Sequence, residues 1–296
     1  MDKTSDSGSV DMGSTPVRDT KKSCFGKAFL LSSILKNQIM RHFMYRFYNR
    51  YQIGKPRGNF SEKITPEQLM LRYSADIHKV FPQFSQLPHS YKVNFSNRIL
   101  SFLQQYAFVS KGGVLLTQQH KVRIATSYIK LTLGLSPYLI STFHTIVVYP
   151  TAQYFEEFDE VHVGHFHPKL KTIMIALDEF ENDIKNATDG KDISLHEFSH
   201  ALSFEMLRKN AHHPYESTFK KYYRLLIQYI DDPVRKGVLK KQGLIRAYGF
   251  SNRLEWIAVL VELFFERADE LRNLHPEIYQ LIGKLLNHPS VKQSNK

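Results

Sequence analysis

The period of the apolar positions changes several times along this chain, and each change marks an element. Residues 1–24 show no apolar periodicity and are rich in Ser, Asp, Gly, Thr and Lys, so they are expected to form a disordered tail. From Phe25 to Tyr51 the apolar residues Phe29, Ile34, Leu35, Ile39, Phe43, Met44, Phe47 and Tyr51 recur at helical spacing. Lys27, Lys36, Arg41, Arg46 and Arg50 fall between them. The pattern predicts a basic amphipathic helix, and "IGKPRGN" ends it with Gly and Pro. Residues 25–60 are therefore a helical extension with its linker, and residues 61–290 the main domain.

Within the main domain, Thr65 followed by Pro66 and Glu67 reads as an N-cap, a proline in the first turn and an acid near the positive helix end, which predicts a helix to about Phe81. Helical spacing returns over 90–108 and 118–135, separated by "SKGGVLLT". "HTIVVYP" (144–150) and "KTIMIAL" (171–177) are short and β-branched, and both predict strands. Between them "EEFDEVHVGHFHPKL" reads as a loop with three histidines, His162, His165 and His167, taken as solvated. "DGKD" is a turn, and helices are expected from Ile193, over about 215–230, and from Asn252 to about 268. His212 and His213, before Pro214, read as surface residues.

Composition narrows the picture. With 42% apolar and 13% aromatic residues the chain has ample material for a core. Its formal charge of +12 is concentrated at the start, where residues 1–60 hold eleven Lys and Arg against four Asp. The amphipathic segment 25–51 suits docking on the main domain first and weak contact with an anionic membrane surface second. There is no strong case for nucleic acid. Cys24 is the lone cysteine, which excludes an intrachain disulfide and fits a reducing, cytoplasmic setting. The longest early apolar run, "AFLLSSIL", is far shorter than the roughly 20 residues of a membrane span.

The chemistry is concentrated in "ISLHEFSHALSFE" (193–205). On a helix, His196 and His200 are neighbours on one face and can present two imidazoles to one metal ion, with Glu197 beside them. This is the arrangement zinc hydrolysis requires. Five letters among 14 histidines are not decisive, but the match lies in a well-patterned helix. No third histidine stands in the following "ALSFE", so a carboxylate must complete the site. The helix after Asn252 carries Glu255, Glu262 and Glu266 on nearly one face and is apolar almost all round. Buried carboxylates need a partner or a metal.

The stretches "FPQFSQLP", "LLTQQHKVRIA", "HTIVVYP", "KTIMIALDEF", "DGKDISLHEFSHAL" and "YGFSNRLEWIAVLVELFF" resemble, in order, the Mlc titration factor A (MtfA) zinc peptidases, whose catalytic part is similar to that of anthrax lethal factor. The resemblance covers about residues 80–270, and the last two stretches are the specific ones. It implies one zinc ion held by His196, His200 and Glu255, Glu197 as general base, and Tyr248, seven residues before Glu255, as a donor to the oxyanion. Glu262 would orient a histidine and is the second candidate ligand; His162, His165 and His167 are further candidates, since some relatives place a histidine near the metal there. Where the family usually follows its motif with Leu-Asp, this chain has Leu202 and Ser203, and residues 25–51 match no part of the family pattern.

The implied fold is α+β, a mainly helical zincin-like metallopeptidase domain with a small sheet, to which the N-terminal helix is an extension. "KTIMIAL" is expected at the sheet edge beside the motif helix. The implied activity is zinc-dependent peptide hydrolysis of the gluzincin type, with aminopeptidase action among the relatives and a peptide or protein as substrate. The alternative is a binding protein that sequesters a transcriptional regulator on the same scaffold.

Overall fold

The computed structural model describes residues 58–155 and 160–292. The expected tail and the expected basic helix at 25–51 lie outside the described residues. Helix α1 (Pro66–Val80) begins as its sequence requires: Thr65 Oγ1 accepts the Gln68 N–H at 3.3 Å and the Gln68 side chain accepts the Thr65 N–H at 2.8 Å. This capping box satisfies two amides that the first turn leaves without helical partners. Leu69, Met70, Tyr73 and Ile77 form its buried stripe. Helix α2 (His89–Gln105) stops earlier than the periodicity suggests, and Ala107–Ser110 is strand β1. The break falls at Tyr106, whose hydroxyl donates to Ile140 O at 2.8 Å and accepts from Ile140 N–H at 3.0 Å. Four residues are too few to display a strand period, and β1 exists because it pairs with the next strand. Helix α3 (Gln118–Leu131) follows, capped by Thr117.

Strands β2 (Thr145–Tyr149) and β6 (Thr172–Ala176) lie where the β-branched runs predict them. The histidine-rich segment between them is not a loop. Its described residues form β3 (Gln153–Phe155), β4 (Glu160–His162) and β5 (Gly164–His167); β3 and β4 make a separate antiparallel pair. The main sheet has the order β1-β2-β6-β5, with β1, β2 and β6 parallel and β5 antiparallel to β6. The edge beside the motif helix is therefore β5 and not the "KTIMIAL" strand, which is interior. Histidine and glycine carry no strand signature of their own. The element arises from backbone pairing with β6, which lies outside any local window.

Helix α4 (Leu177–Lys185) leads to the motif helix α5 (Ile193–Leu207). Asp192 caps α5, its Oδ1 accepting the Leu195 N–H at 2.9 Å, and Asp183 Oδ2 accepts the Ile193 N–H at 2.8 Å. Two carboxylates thus sit at the positive end of this helix. Helices α6 (Glu216–Asp231), α7 (Pro233–Gln242), a 3-10 turn (Ala247–Phe250), α8 (Arg253–Glu266), α9 (Ala268–Leu274), α10 (Pro276–Leu285) and the short α11 (Pro289–Lys292) complete a mainly helical α+β fold. None of the described helices is long and apolar enough to cross a membrane.

The core fixes which face of α5 is open. Phe198, on its inner side, meets Tyr128 at 5.1 Å, Phe143 at 5.8 Å and Phe102 at 6.1 Å between ring centroids. Such tilted and edge contacts are favoured by ring quadrupoles and add to the apolar burial. On α8, Trp256 is fully buried and its indole N–H donates to Leu226 O at 2.9 Å. Anchored from behind, α5 and α8 hold their polar residues against one another. His213, expected at the surface, is buried, with Nε2 2.7 Å from Pro137 O. That carbonyl needs a donor, and the ring supplies it. His212 is exposed as expected.

Candidate metal centre

The sequence-predicted ligands come together. His196 and His200 project from successive turns of α5, and Glu255 reaches them from the first turn of α8, where Asn252 Oδ1 accepts the N–H groups of Leu254 and Glu255 at 2.9 and 3.1 Å. His196 Nε2 lies 2.8 Å from Glu255 Oε2, His200 Nε2 lies 3.3 Å from Glu255 Oε1, and the two Nε2 atoms are 3.1 Å apart. One ligand atom from each residue fits within 4.8 Å of the others, a spacing suited to a shared ion. Among the described residues no other group of His, Cys, Asp and Glu meets that test, so His162, His165 and His167 stand outside the cluster.

The donor set fits zinc. Two neutral imidazoles and one carboxylate leave a tetrahedral position open, and this mixture suits zinc better than the hard alkaline-earth ions. The metal-free charges are consistent with a site organised for a cation. Burial pushes the Glu255 carboxyl up, yet His196 and His200 outweigh it and hold the group well below the usual carboxylate range. For His196, burial opposes the charged ring, but Glu255 and Glu262 more than offset it and raise its pKa to about 10.

Behind the cluster stands a support that the sequence shows only in part. Glu262 is 1% exposed, and its Oε1 accepts from His196 Nδ1 at 2.6 Å. Without a metal the ring is charged, Nδ1 donating to Glu262 and Nε2 to Glu255. The Glu262 bond holds a proton on Nδ1, so that Nε2 is the nitrogen that would give up its proton to a metal. The carboxylate is in turn compensated by Arg246. Its guanidinium pairs with both Glu262 oxygens, Nη2 meeting Oε1 at 2.9 Å, and Nη1 donates to Gly190 O at 2.9 Å in the turn before α5. Sequence reading misses Arg246, because Glu262 lies 16 positions away and only the 3-10 turn brings the two together. Arg246→Gln is expected to lower zinc affinity by roughly 10- to 100-fold, the usual effect of losing an orienting group behind a ligand, with the fold retained. Chelator competition checks it; unchanged affinity would remove Arg246 from the site's support.

Glu197 is buried beside the His196–His200–Glu255 cluster. Burial raises its carboxyl pKa, His196 and His200 oppose that rise, and the Phe166 backbone on β5 favours the ionised form. Strand β5 lies this close because residue 164 is glycine: a Cβ there would stand 2.6 Å from Ile193 Cδ1 and 2.9 Å from Glu197 Cγ. Tyr248 borders the opening, 54% exposed, its ring 5.9 Å from that of His196. Partial burial and the Glu255 carboxylate raise its hydroxyl to about 12, so it is a donor at neutral pH. Glu266, the third acid on the predicted face, is not at the metal cluster; its Oε2 accepts the Gly190 N–H at 2.8 Å. The three β-segment histidines are half-buried rather than solvated, and burial with His167, His162 and His200 nearby lowers His165 to about 4.

Comparison with known proteins adds the decisive observation. Residues 57–286 match the model of the glucose-regulated metallo-peptidase M90 family. The chain belongs to this family. An uncharacterized protein of Synechocystis sp. is 28% identical over 225 residues, covering 69% of this chain and 78% of that protein. The M90 match spans every element that bears on the centre, from α1 to α10, and makes the chain a metallopeptidase by family.

Proposed function

We propose that this M90 metallopeptidase hydrolyses peptide bonds with one zinc ion held by His196, His200 and Glu255. The observation that carries the reading is the convergence of those three ligand atoms with Glu197 beside them and Glu262 behind. Zinc, when bound, supplies a Lewis acid that polarises a carbonyl and acidifies water. Glu197 takes a proton from the attacking water and passes it to the departing amine. The Tyr248 hydroxyl donates to the oxygen that becomes negative as the carbonyl carbon turns tetrahedral. Glu262 and Arg246 keep His196 in one tautomer and orientation.

The substrate is an extended peptide added at the β5 edge. Ala176 N–H donates to Val163 O at 2.7 Å, and bonded pairs alternate along an antiparallel ladder. Gly164 and Phe166 therefore turn their backbone groups away from β6, toward the open side and Glu197. Main-chain pairing of this kind binds peptides with limited dependence on side chains. Cleavage next to a free N-terminus, as in an aminopeptidase, is the form tested first. Zinc content and chelator-sensitive hydrolysis of a mixed peptide library test the reading; zinc without cleavage transfers support to a scaffold that sequesters a regulator. Tyr248→Phe is expected to lower the catalytic rate by about 10²-fold, with metal content unchanged, because it removes a single oxyanion donor. Release of the metal instead would make Tyr248 a ligand.

A further inference from the structure

Helix α5 is buried on every side but one. Of its fifteen residues, only Ile193, His200, Phe204 and Leu207 escape burial, and Phe204 is the one that is exposed. Those positions fall at spacings of seven, four and three, which is a single stripe on a helix. His196 and Glu197 lie on the same stripe between Ile193 and His200. The open face of the motif helix is thus the floor of the metal site, continued one turn beyond His200 by an aromatic side chain that is 45% exposed. Phe166 of the edge strand meets it, the two rings lying 5.8 Å apart at 67°.

The register of β5 states what lies over that pair. A peptide strand added at the open edge bonds to the outward groups of Gly164 and to the Phe166 carbonyl, the Phe166 N–H being directed at Glu197. In an antiparallel pair, residues directly opposite each other carry their side chains on the same face of the sheet. The peptide residue opposite Phe166 then places its side chain on the α5 side, against Phe166 and Phe204. Resting on the peptidase reading above, we propose that Phe204 and Phe166 form a subsite that selects an apolar side chain, such as Leu or Phe, at the substrate residue paired with Phe166. Water at this surface meets the exposed Phe204 ring, backed by the buried Phe166, and gains nothing by staying. An apolar side chain removes that surface from water, whereas a charged one loses its hydration without gaining a partner.

The test uses the full chain carrying Glu197→Gln and loaded with zinc, so that binding is read without turnover. Labelled peptides of Ala and Ser, each with a single Phe, Leu, Ser or Asp moved through the sequence, are titrated by fluorescence anisotropy. One position is expected to favour Phe and Leu over Ser by about 10-fold, the scale of a small apolar pocket, and over Asp by more. Adding Phe204→Ser should erase that preference at the one position, leaving zinc affinity unchanged, and Phe204→Leu should restore most of it. Absence of binding, absence of a positional preference, or a preference that survives Phe204→Ser overturns the subsite. Cleavage by the wild-type chain is measured in parallel. Selective binding without cleavage retains the subsite and removes the peptidase reading, and cleavage without a Phe204-dependent preference does the reverse.

Discussion

Replacing Glu197 with glutamine is expected to leave the zinc content of the chain intact while lowering peptide turnover by roughly 10²- to 10⁴-fold, the range that a positioned general base contributes. Glutamine keeps the volume of a side chain that is buried in the floor of the site, so β5 and α5 can keep their approach at Gly164. What changes is the ability to hold a proton. Burial lifts the Glu197 carboxyl above its ordinary value while the two histidines hold the rise in check, which moves its basicity in the direction that favours proton transfer near neutral pH. Elemental analysis and initial rates on the same preparation decide the matter. Near wild-type turnover removes Glu197 from the role of base, and loss of zinc shows that it supports the metal instead.

The parts of this site that local sequence could reveal are those built within one helix. His196 and His200 share a face because they are four apart, and Asn252 announces α8 because a side-chain oxygen is needed where helical partners run out. The apolar surround of Glu255 and Glu262 showed that both carboxylates required company. Their division of labour is implied by family resemblance and not by local sequence. Long-range pairing stayed hidden. Strands β5 and β1 are four-residue pieces too short to display a period, held by their neighbours β6 and β2. Arg246 is an unremarkable basic residue until the 3-10 turn delivers it to Glu262, and His213 lacks any sign of burial until Pro137 O is found against it. In each instance the missing information is a partner distant in the chain.

The same geometry relates Ser203 to the family pattern. The resemblance implies an acid at that position, whereas Ser203 stands here, buried within α5. His196 Nδ1 nevertheless has a carboxylate partner, Glu262, held from the far side by Arg246. This arrangement ties the imidazole to α8 and to the turn at Gly190 rather than to its own helix. Glu255 and Glu262 thus both come from α8, two turns apart, and both face α5.

If Glu255 holds the ion and Glu262 orients His196, removal of the two carboxylates should be separable. Glu255→Ala is expected to lower zinc affinity by more than the roughly 10- to 100-fold typical of an orienting residue, because one of three metal donors is gone. Glu262→Gln should stay within that range: the amide oxygen can still accept from His196 Nδ1, but the fixed charge that Arg246 and His196 face is lost. Glutamine is preferred to alanine at 262 because a cavity beside an unpaired guanidinium would threaten the fold as well as the site. At 255 the side chain lies nearer solvent and truncation is tolerable, which thermal melting of the metal-free chains checks. Chelator competition on both variants supplies the comparison. The opposite ranking would exchange the two assignments, making Glu262 the ligand and Glu255 its support. Equal and small losses would mean that the two imidazoles hold the ion with little help from either carboxylate.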